Sequence, residues 1–293
     1  MWVRVPPEAP KFLFSRGFLT RLCFCRLFPV QPQQEKNEKK VAFGFREVPE
    51  SEKARDVKQV FDSVAKKYDL MNDLLSFGLH RLWKRKTIRA AELKEGSCVL
   101  DIASGTCDLA LAFSPLVGKT GQVWATDINY AMLSEGAKRI ARAESDAHVV
   151  QCDCESLPFA DNTFDIVTVS FGLRNMTHKD KALCEMQRVT KPGGRVLVLE
   201  FSHCWKIFRP FYDFYSFVVM PRLGALVVGD ANSYRYLAES IRVHPDQKTL
   251  ADMMRKAGFN QVLWKNLTFG VCALTSESKP KAVFFRGPRS SDL

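Results

Sequence analysis

Between residues 57 and 68, apolar side chains recur at the three- and four-residue spacing of an amphipathic helix. They are Val57, Val60, Phe61, Val64, Ala65 and Tyr68. A second helical stretch covers about residues 79–91, and the polar, proline-containing residues 31–50 are interpreted as a linker. The pattern therefore predicts N-terminal helices ahead of the first buried strand.

Further along the chain, short apolar runs alternate with helical stretches. The predicted strands are 98–103, 122–127, 147–151, 164–170, 195–201, 260–266 and 269–275. The predicted helices between the earlier strands are 108–117, 129–143 and 178–190. Lys191-Pro-Gly-Gly194 is expected to end the last of these helices and to turn the chain into the next strand. Because near-continuous apolar strands alternate with helices, we predict an α/β fold with a seven-stranded, mostly parallel, buried sheet.

Residues 205–229 are rich in aromatic and aliphatic side chains, but Arg209, Asp213, Pro221 and Arg222 interrupt them. Charged residues and a proline at these positions argue against a membrane span. Two interpretations stay open: a pair of core helices, or an apolar lid over a hydrophobic substrate that touches a membrane surface.

The strand that ends at Asp101 is followed by a turn of small residues, Ala103 to Thr106, and then by a helix. Such a turn lets backbone amides approach an anionic group at a helix N-terminus. The next strand ends in Asp127, whose carboxylate can accept hydrogen bonds from ribose hydroxyls. The spacing predicts a nucleotide-type cofactor site, with a tight strand–helix turn in an unrelated α/β protein as the alternative.

The glycine pattern of this turn distinguishes between cofactors. A dinucleotide requires G-x-G-x-x-G so that the backbone can close on a pyrophosphate. Gly105 is followed two residues later by Cys107 and three residues after that by Ala110, so the second and third glycines are missing. This pattern argues against NAD and favours S-adenosylmethionine, which has an amino-acid tail and no phosphates.

Charge and cysteine content exclude two classes of site. The 293-residue chain has a net charge of +11, but residues 1–40 carry +5 and residues 275–293 carry +2, which leaves +4 between them. A nucleic-acid-binding protein would carry the excess on its folded body, so we expect no nucleic-acid partner. The nine cysteines form no C-x-x-C pair, and we therefore expect no metal site.

Residues 1–30 contain five basic residues and one acid among phenylalanines and leucines. Arginines interrupt the apolar run, so it fits neither a secretory signal nor a membrane span. The composition is typical of a mitochondrial transit segment, with a disordered or wrongly assigned extension as the alternative. We expect a transit segment and linker over residues 1–40, one domain over residues 41–275 and a disordered tail over residues 276–293.

Several longer stretches are selective for one family. They are Phe61-Asp-Ser-Val-Ala-Lys-Lys-Tyr-Asp-Leu-Met-Asn-Asp73, Phe77-Gly-Leu-His-Arg-Leu-Trp-Lys84, Ser170-Phe-Gly-Leu-Arg-Asn175, Lys191-Pro-Gly-Gly-Arg195 and Asp230-Ala-Asn-Ser-Tyr-Arg-Tyr-Leu-Ala-Glu-Ser-Ile-Arg242. Through them the chain, from about Phe43 to Leu274, resembles the UbiE-type ubiquinone/menaquinone biosynthesis C-methyltransferases. The resemblance implies a class I, Rossmann-like, S-adenosylmethionine-dependent methyltransferase with N-terminal helices and an aromatic lid insertion. Such enzymes methylate a ring carbon of a polyprenylated benzoquinol or naphthoquinol.

The resemblance also implies a set of cofactor-binding residues. They are Gly105, Thr106, Asp127, Asp153, Cys154 and Ser170. Thr106 is assigned to the methionine portion of the cofactor, and Asp153 and Cys154 to its adenine. Structural alternatives are a helix cap for Thr106, a solvated loop acid for Asp153 and a strand end for Ser170. For Asp127 the alternative is a helix N-cap.

By the same resemblance, the chemistry is assigned to Arg174, which would stabilise a developing phenolate and orient a water molecule that takes the hydroxyl proton. Because an arginine stays protonated, it is not itself the base. Asn175, Tyr68 and His178 are candidate partners. The alternatives are a surface salt bridge for Arg174, an exposed position for His178 and the buried end of a helical stripe for Tyr68.

Two residues, Ser104 and Cys107, depart from the family pattern, in which glycine is common. A side chain at a positive φ costs about 1 kcal/mol or more, and that of Cys107 would crowd the methionine carboxylate of the cofactor. A non-catalytic scaffold subunit of a quinone-biosynthesis complex is therefore an alternative function, and demethylmenaquinol methylation is another.

The leading prediction is methylation of a polyprenylated methoxy-benzoquinol in ubiquinone biosynthesis. The transit-like segment favours this ring, because a mitochondrial location implies the ubiquinone route. It also predicts a peripheral protein on the matrix side of the mitochondrial inner membrane. A quinone-biosynthesis protein complex and a homodimer are left open as partners.

Overall fold

The computed structural model describes residues 38–227 and 229–278. The predicted transit segment lies outside the described residues, as do residues 279–293 of the predicted tail. Residues 276–278, which were also assigned to that tail, form the end of the last strand. The folded domain therefore extends beyond the predicted boundary at residue 275.

Strands and helices alternate from Cys98 to Gln151, and within the residues that the structure describes four α-helices separate the last two strands from the rest of the sheet. The strands are β1 (Lys40–Phe43), β2 (Arg46–Pro49), β3 (Cys98–Ile102), β4 (Gln122–Asp127), β5 (His148–Gln151), β6 (Phe164–Ser170), β7 (Thr190–Phe201), β8 (Leu263–Leu267) and β9 (Cys272–Ser278). The α-helices are α1 (Glu50–Val64), α2 (Tyr68–Ser76), α3 (Leu79–Ala91), α4 (Asp108–Val117), α5 (Tyr130–Arg142), α6 (Lys179–Val189), α7 (Arg209–Phe214), α8 (Met220–Val227), α9 (Ala231–Val243) and α10 (Gln247–Lys256).

Seven strands form one sheet in the order β5-β4-β3-β6-β7-β9-β8. Neighbouring strands from β5 to β7 are parallel, whereas β9 runs antiparallel to both β7 and β8. The strand order reverses beside β3, and in such sheets ligands bind outside the carboxyl ends of the strands at this switch point. The predicted α/β fold with a mostly parallel seven-stranded sheet is confirmed.

The central strands are apolar almost throughout because helices cover both faces of the sheet. Adjacent residues of β3 belong to different cores, since successive side chains of a strand point to opposite faces. Val99 packs with residues of α3 and α4, while Leu100 packs with residues of α6 and α10. Both side chains are fully buried.

The N-terminal region differs from its predicted organisation. The predicted linker contains a hairpin of β1 and β2, which turns at Gly44 with a φ of +60°. The helical stripe is also interrupted, because α1 ends at Val64 and a 3₁₀ turn over Ala65–Lys67 leads into α2 at Tyr68. Periodicity alone missed this break, since the 3₁₀ turn keeps nearly the same residue spacing as an α-helix.

Two other element boundaries differ from the prediction. The helix before Lys191 ends at Val189, one residue before its predicted end, and residues 190–194 form the start of β7 instead of a turn. The pairing of β7 with β6 shifts register here, which accommodates the two glycines within the strand. The last two strands, β8 and β9, begin three residues later than predicted.

The aromatic stretch forms α7, a π-helical turn over Tyr215–Val219, and α8. Met220 packs against Met71 and Leu75 of α2 in a small core of its own. Ile207 and Phe211 on the outer side are 74% and 76% exposed. In the described part of the chain, no helix combines the length and the apolar character that a bilayer crossing needs. The stretch is thus a helical layer that packs against α2 and α9.

Candidate active site

The turn after β3 is tied to β4 by Ser104. Its backbone N–H donates to the Thr126 carbonyl (2.9 Å), its hydroxyl donates to the Asp101 carbonyl (2.7 Å), and the Thr126 N–H donates to that hydroxyl (3.2 Å). Ala103, Gly105 and Cys107 all have positive φ. The serine therefore stabilises the turn that opens the crevice above β3 and β4.

Cys107 has a φ of +64° at the start of α4, so the predicted backbone cost is present. Its side chain is fully buried and points away from the crevice, toward Gly136 in α5. A Cβ atom on Gly136 would overlap the Cys107 sulfur. The expected crowding of the cofactor is therefore wrong, because a glycine in α5 makes room for the thiol on the opposite side.

Asp127 lies at the carboxyl end of β4 with both carboxylate oxygens oriented by backbone N–H groups. Gly105 N–H donates to Oδ2 and Asn129 N–H donates to Oδ1, each at 2.8 Å. Burial raises the pKa of Asp127, and these donors oppose that effect. The N-cap of α5 is Asn129, whose Oδ1 accepts from the Met132 N–H. The helix-cap alternative for Asp127 is therefore wrong.

A cavity of about 520 Å³, the donor cavity, opens at the carboxyl ends of β3, β4 and β6. It brings together five of the six predicted cofactor-binding residues. They are Gly105, Asp127, Asp153, Cys154 and Ser170. The remaining residue, Thr106, does not line the cavity, because its hydroxyl donates to Asp69 in α2 (2.8 Å) and its side chain is buried. Thr106 instead connects the turn to α2.

The donor cavity has groups that suit S-adenosylmethionine. The buried Ser170 hydroxyl has no hydrogen-bond partner among the described residues, so it is free to bond to a ligand or to a water molecule. The Asp127 oxygens keep lone pairs that can accept from two ribose hydroxyls. Burial strongly raises the pKa of the Cys154 thiol, which therefore remains neutral and offers an apolar surface to a purine.

Helix α1 closes the open side of the donor cavity. Asn129 Nδ2 donates to Asp62 Oδ1 (2.9 Å), and His178 joins Glu155 (2.6 Å) to Glu50 (3.0 Å). The alternative that His178 is merely exposed is wrong, because both ring nitrogens are engaged. Asn129 was not predicted as a site residue, although an Asn directly before a helix and two residues after the strand-end acid is an N-cap signal.

A second cavity of about 240 Å³, the acceptor cavity, lies between the sheet end and helices α2, α3 and α9. Its walls are rich in aromatic side chains. They include Phe61, Tyr68, Trp83, Phe171, Phe201, Tyr212, Tyr215, Tyr234 and Tyr236. Four residues line both cavities: Phe61, Tyr68, Phe171 and Asn175. The two cavities therefore adjoin at these side chains.

The predicted catalytic residues Tyr68 and Asn175 lie at this junction. The Asn175 Oδ1 accepts a hydrogen bond from the Tyr236 hydroxyl (3.1 Å), which orients its amide. Tyr68 begins α2 directly after the 3₁₀ turn, so the helix break places its ring between the cavities. Its position at the junction argues against a purely structural role at the end of a stripe.

Arg174 lines the acceptor cavity and is paired with Glu200 at the end of β7 (2.9 Å). The Arg174 side chain is 5% exposed, so the surface-salt-bridge alternative is wrong. The guanidinium also donates to the Phe171 carbonyl and lies over the Phe201 ring. Its Nε–H has no partner among the described residues. Glu200 was missed, although an acid at the end of an apolar strand is a recognisable signal of a buried charge.

Residues 38–279 match the model of the ubiE/COQ5 methyltransferase family. The chain belongs to this family. It is 60% identical over 232 residues to the ubiquinone/menaquinone biosynthesis C-methyltransferase UbiE of Cupriavidus metallidurans. The aligned residues cover 79% of this chain and 96% of the relative. It is 57% identical over 237 residues to UbiE of Chromobacterium violaceum, covering 81% and 97%.

Solved structures show the same fold at low sequence identity. The [4+2]-cyclase SpnF aligns with a TM-score of 0.56 at 17% identity, over 77% of this chain and 95% of that one. A methyltransferase bound to the Trm112 activator of Haloferax volcanii aligns with a TM-score of 0.54 at 16% identity, over 75% and 97%. These similarities support the class I methyltransferase fold, whereas the activity follows from the family.

Membership of the ubiE/COQ5 family establishes that this protein is an S-adenosylmethionine-dependent C-methyltransferase of ubiquinone/menaquinone biosynthesis. The comparison contradicts the predicted mitochondrial location, the transit segment and the peripheral placement at the mitochondrial inner membrane. The relatives at 57–60% identity are bacterial proteins, from cells that contain no mitochondria. Location therefore no longer favours one quinol ring over the other.

Proposed function

We propose that this ubiE/COQ5 family member methylates a ring carbon of a polyprenylated methoxy-benzoquinol. The observation that supports the proposal is the junction of the two cavities at Tyr68, Phe171 and Asn175. A ring in the acceptor cavity would there lie beside the reactive end of a ligand in the donor cavity. Holding two reactants in this way supplies roughly 7–11 kcal/mol of the barrier in favourable cases.

The donor cavity would hold the cofactor through its own polar groups. S-adenosylmethionine, when bound, supplies an electrophilic methyl group on a positively charged sulfur. Asp127 would accept from the ribose hydroxyls, the unpartnered Ser170 hydroxyl would bond to the ligand, and Asp153 and Cys154 would face the adenine. The N–H groups that orient Asp127 keep its carboxylate ready before the ligand arrives.

The size of the acceptor cavity favours a single substituted ring. Its volume of about 240 Å³ lies below the roughly 300–1,000 Å³ of sites that enclose drug-sized ligands. Its Tyr212 and Tyr215 belong to the same helical segment as Phe211 and Phe214, which are exposed. An apolar tail leaving the cavity along this segment would find a hydrophobic surface, as a polyprenyl chain requires.

Arg174 would stabilise the charge that develops on the quinol oxygen. Its guanidinium is held by Glu200 at one side and lines the acceptor cavity, and its Nε–H has no hydrogen-bond partner among the described residues. A charge-assisted hydrogen bond to a developing phenolate is stronger there than in water, because the aromatic walls lower the local dielectric.

Methyl transfer by the full chain tests the proposal. Labelled S-adenosylmethionine would be offered with a short-chain prenylated methoxy-benzoquinol and, separately, with the matching demethylated naphthoquinol, both kept reduced. We expect a higher kcat/KM for the benzoquinol. Preference for the naphthoquinol would overturn the ring assignment alone. Cofactor binding without transfer to either ring would favour the scaffold alternative.

A further inference from the structure

His80 lies in the wall of the acceptor cavity and has no role in the site described so far. It is in α3, one helical turn before Trp83, whose ring contacts Phe171 at the junction of the cavities. The His80 residue is 7% exposed and lines the acceptor cavity. A buried histidine facing a substrate cavity is a candidate for proton transfer.

The hydrogen bonds around Ser76 favour one tautomer of His80. The Ser76 hydroxyl lies 2.6 Å from the Asn72 carbonyl oxygen and 2.7 Å from His80 Nδ1. A carbonyl oxygen can only accept, so the single hydroxyl proton of Ser76 is directed to Asn72. The Ser76 oxygen must then accept from His80, which places the ring proton on Nδ1. In the neutral ring, Nε2 therefore carries the free lone pair.

We propose that His80 Nε2 accepts the proton of the quinol hydroxyl in this enzyme. The inference rests on the proposed function, because it requires a hydroxylated ring in the acceptor cavity. Asp73 Oδ1 lies 3.8 Å from Nε2 and would stabilise the imidazolium that forms. Asn72, Ser76, His80 and Asp73 would thus act as one relay, with Ser76 and Asn72 as positioning residues.

Every bond and proton in this transfer can be accounted for. The O–H bond of the quinol breaks, an N–H bond forms at Nε2, and the electron pair left on oxygen increases the electron density at the ring carbon that is methylated. After methylation, the imidazolium returns its proton to the same oxygen as the ring regains its aromatic character. The hydrogen of the methylated carbon leaves to water, and it is the one proton that the overall reaction releases.

Several other ionisable groups of the acceptor cavity are poorly suited to act as the base. Arg174 stays protonated, and Lys84 is ion-paired with Asp108 (2.7 Å). Burial raises the pKa of Tyr236 to about 12 and that of Tyr234 well above its usual range. Tyrosines with such values keep their protons and can only donate.

The charges around His80 oppose one another. Burial lowers the pKa of the ring, as does Lys84, one turn along α3, while Arg81 adds a smaller effect in the same direction. Asp73 of α2 and Asp108 of α4 act in the opposite direction by favouring the imidazolium. The ring is therefore neutral at pH 7, and it can still take up a proton because Asp73 stands beside Nε2.

The first test measures the tautomer in the unaltered full chain. The chain has five histidines, and their ring ¹⁵N resonances can be assigned by comparison with His80→Gln. We expect the proton of His80 on Nδ1, with a pKa below 6.5. A proton on Nε2 at neutral pH would overturn the proposal, because that nitrogen would then be a donor.

The second test measures the pH dependence of kcat. His80→Gln keeps a group that can bond to Ser76 but removes the titrating nitrogen, so we expect kcat to fall by about 10²–10⁴-fold. The fall in rate toward low pH should disappear in this variant, while the Kd for S-adenosylmethionine stays within about twofold. His148→Gln, at an exposed histidine of β5 outside both cavities, is the matched control.

Failure of this inference is distinguishable from failure of the proposed function. Transfer by the unaltered chain together with an unchanged rate in His80→Gln overturns the role of His80 alone. Absence of transfer by the unaltered chain overturns both. If His80→Gln does not fold, Ser76→Ala replaces it, since it keeps the histidine and removes the acceptor at Nδ1. We then expect a smaller loss of kcat and a mixed tautomer, and an unaltered tautomer would count against the relay.

Discussion

The donor and acceptor cavities adjoin, yet they are built in different ways. The donor cavity is formed by backbone turns at the ends of parallel strands, where N–H groups orient Asp127 before any ligand is present. The acceptor cavity is formed by aromatic side chains of α2, α3, α9 and the π-helical turn Tyr215–Val219. A fixed sheet thus presents the cofactor, while a layer of helices selects the ring. The four predictions below test this separation, from the largest expected effect to the smallest.

Substitution at Arg174 should affect the chemistry of the acceptor side without disturbing the donor side. Arg174→Lys keeps a positive charge opposite Glu200, so it avoids the large penalty of leaving a buried carboxylate unpaired. The lysine has no Nε–H in the guanidinium position, and we expect kcat to fall by about 10²–10³-fold. The Kd for S-adenosylmethionine, measured by calorimetry, should change by less than about twofold. A large loss of cofactor affinity would show that the two cavities are not separate in function.

Substitution at Asp127 should have the converse effect. Asp127→Ala removes the oxygens that would accept from the ribose, and hydrogen bonds involving a charged group contribute roughly 1.5–3 kcal/mol. We therefore expect cofactor affinity to weaken by about 10–100-fold, with the KM for the quinol unchanged at saturating cofactor. Asp153→Ala is a matched control within the same cavity, for which we expect a smaller loss. Equal affinity in the unaltered chain and Asp127→Ala would exclude Asp127 from the site.

The donor and acceptor sides also differ in how much of them could be predicted from the sequence. The bounds of β4, β6 and α4 are as predicted, because buried parallel strands and the helices between them have strong local patterns. Asp127 could be placed from the sequence pattern because it ends a strand, whereas the other donor residues and the acceptor residues Tyr68, Arg174 and Asn175 came from the family resemblance. The acceptor cavity as a whole could not be predicted, since its walls come from helices far apart in sequence. The bond from Thr106 to Asp69 of α2 was not predicted, because it is a tertiary contact.

The ion pairs that connect the two regions should determine part of the stability in acid. Asp108 at the start of α4 pairs with Lys84 of the acceptor wall and with Arg139 of α5. Burial alone would raise the pKa of Asp108, but these two cations outweigh it and lower the pKa to about 2. The stabilisation is complete above pH 4 and is lost as the pH falls toward 2, because the unfolded chain takes up the proton first.

Asp108→Asn should therefore cost about 2 kcal/mol of unfolding free energy at pH 7 and almost nothing near pH 2. Urea unfolding at a series of pH values measures this difference. Asp252→Asn is the control, since Asp252 pairs with Arg255 on the surface of α10 and such pairs contribute little. A difference between Asp108→Asn and the unaltered chain that is constant from pH 7 to pH 2 would contradict the ion-pair explanation.

The smallest effect on stability is expected at the turn after β3, where Gly136 in α5 leaves space for the Cys107 side chain. Gly136→Ala should destabilise the protein by about 1 kcal/mol, because overlap with the Cys107 sulfur outweighs the better helix propensity of alanine. In a Cys107→Gly background the overlap with the sulfur is removed and only a tight contact with the Gly105 carbonyl oxygen (3.0 Å) remains, so the same substitution should cost less. Denaturant unfolding of the four chains measures this coupling. Equal effects in both backgrounds would show that the Cys107 thiol does not require a glycine at position 136.

Cofactor affinity should remain the same in Cys107→Gly, because the sulfur lies behind the donor cavity and outside its lining.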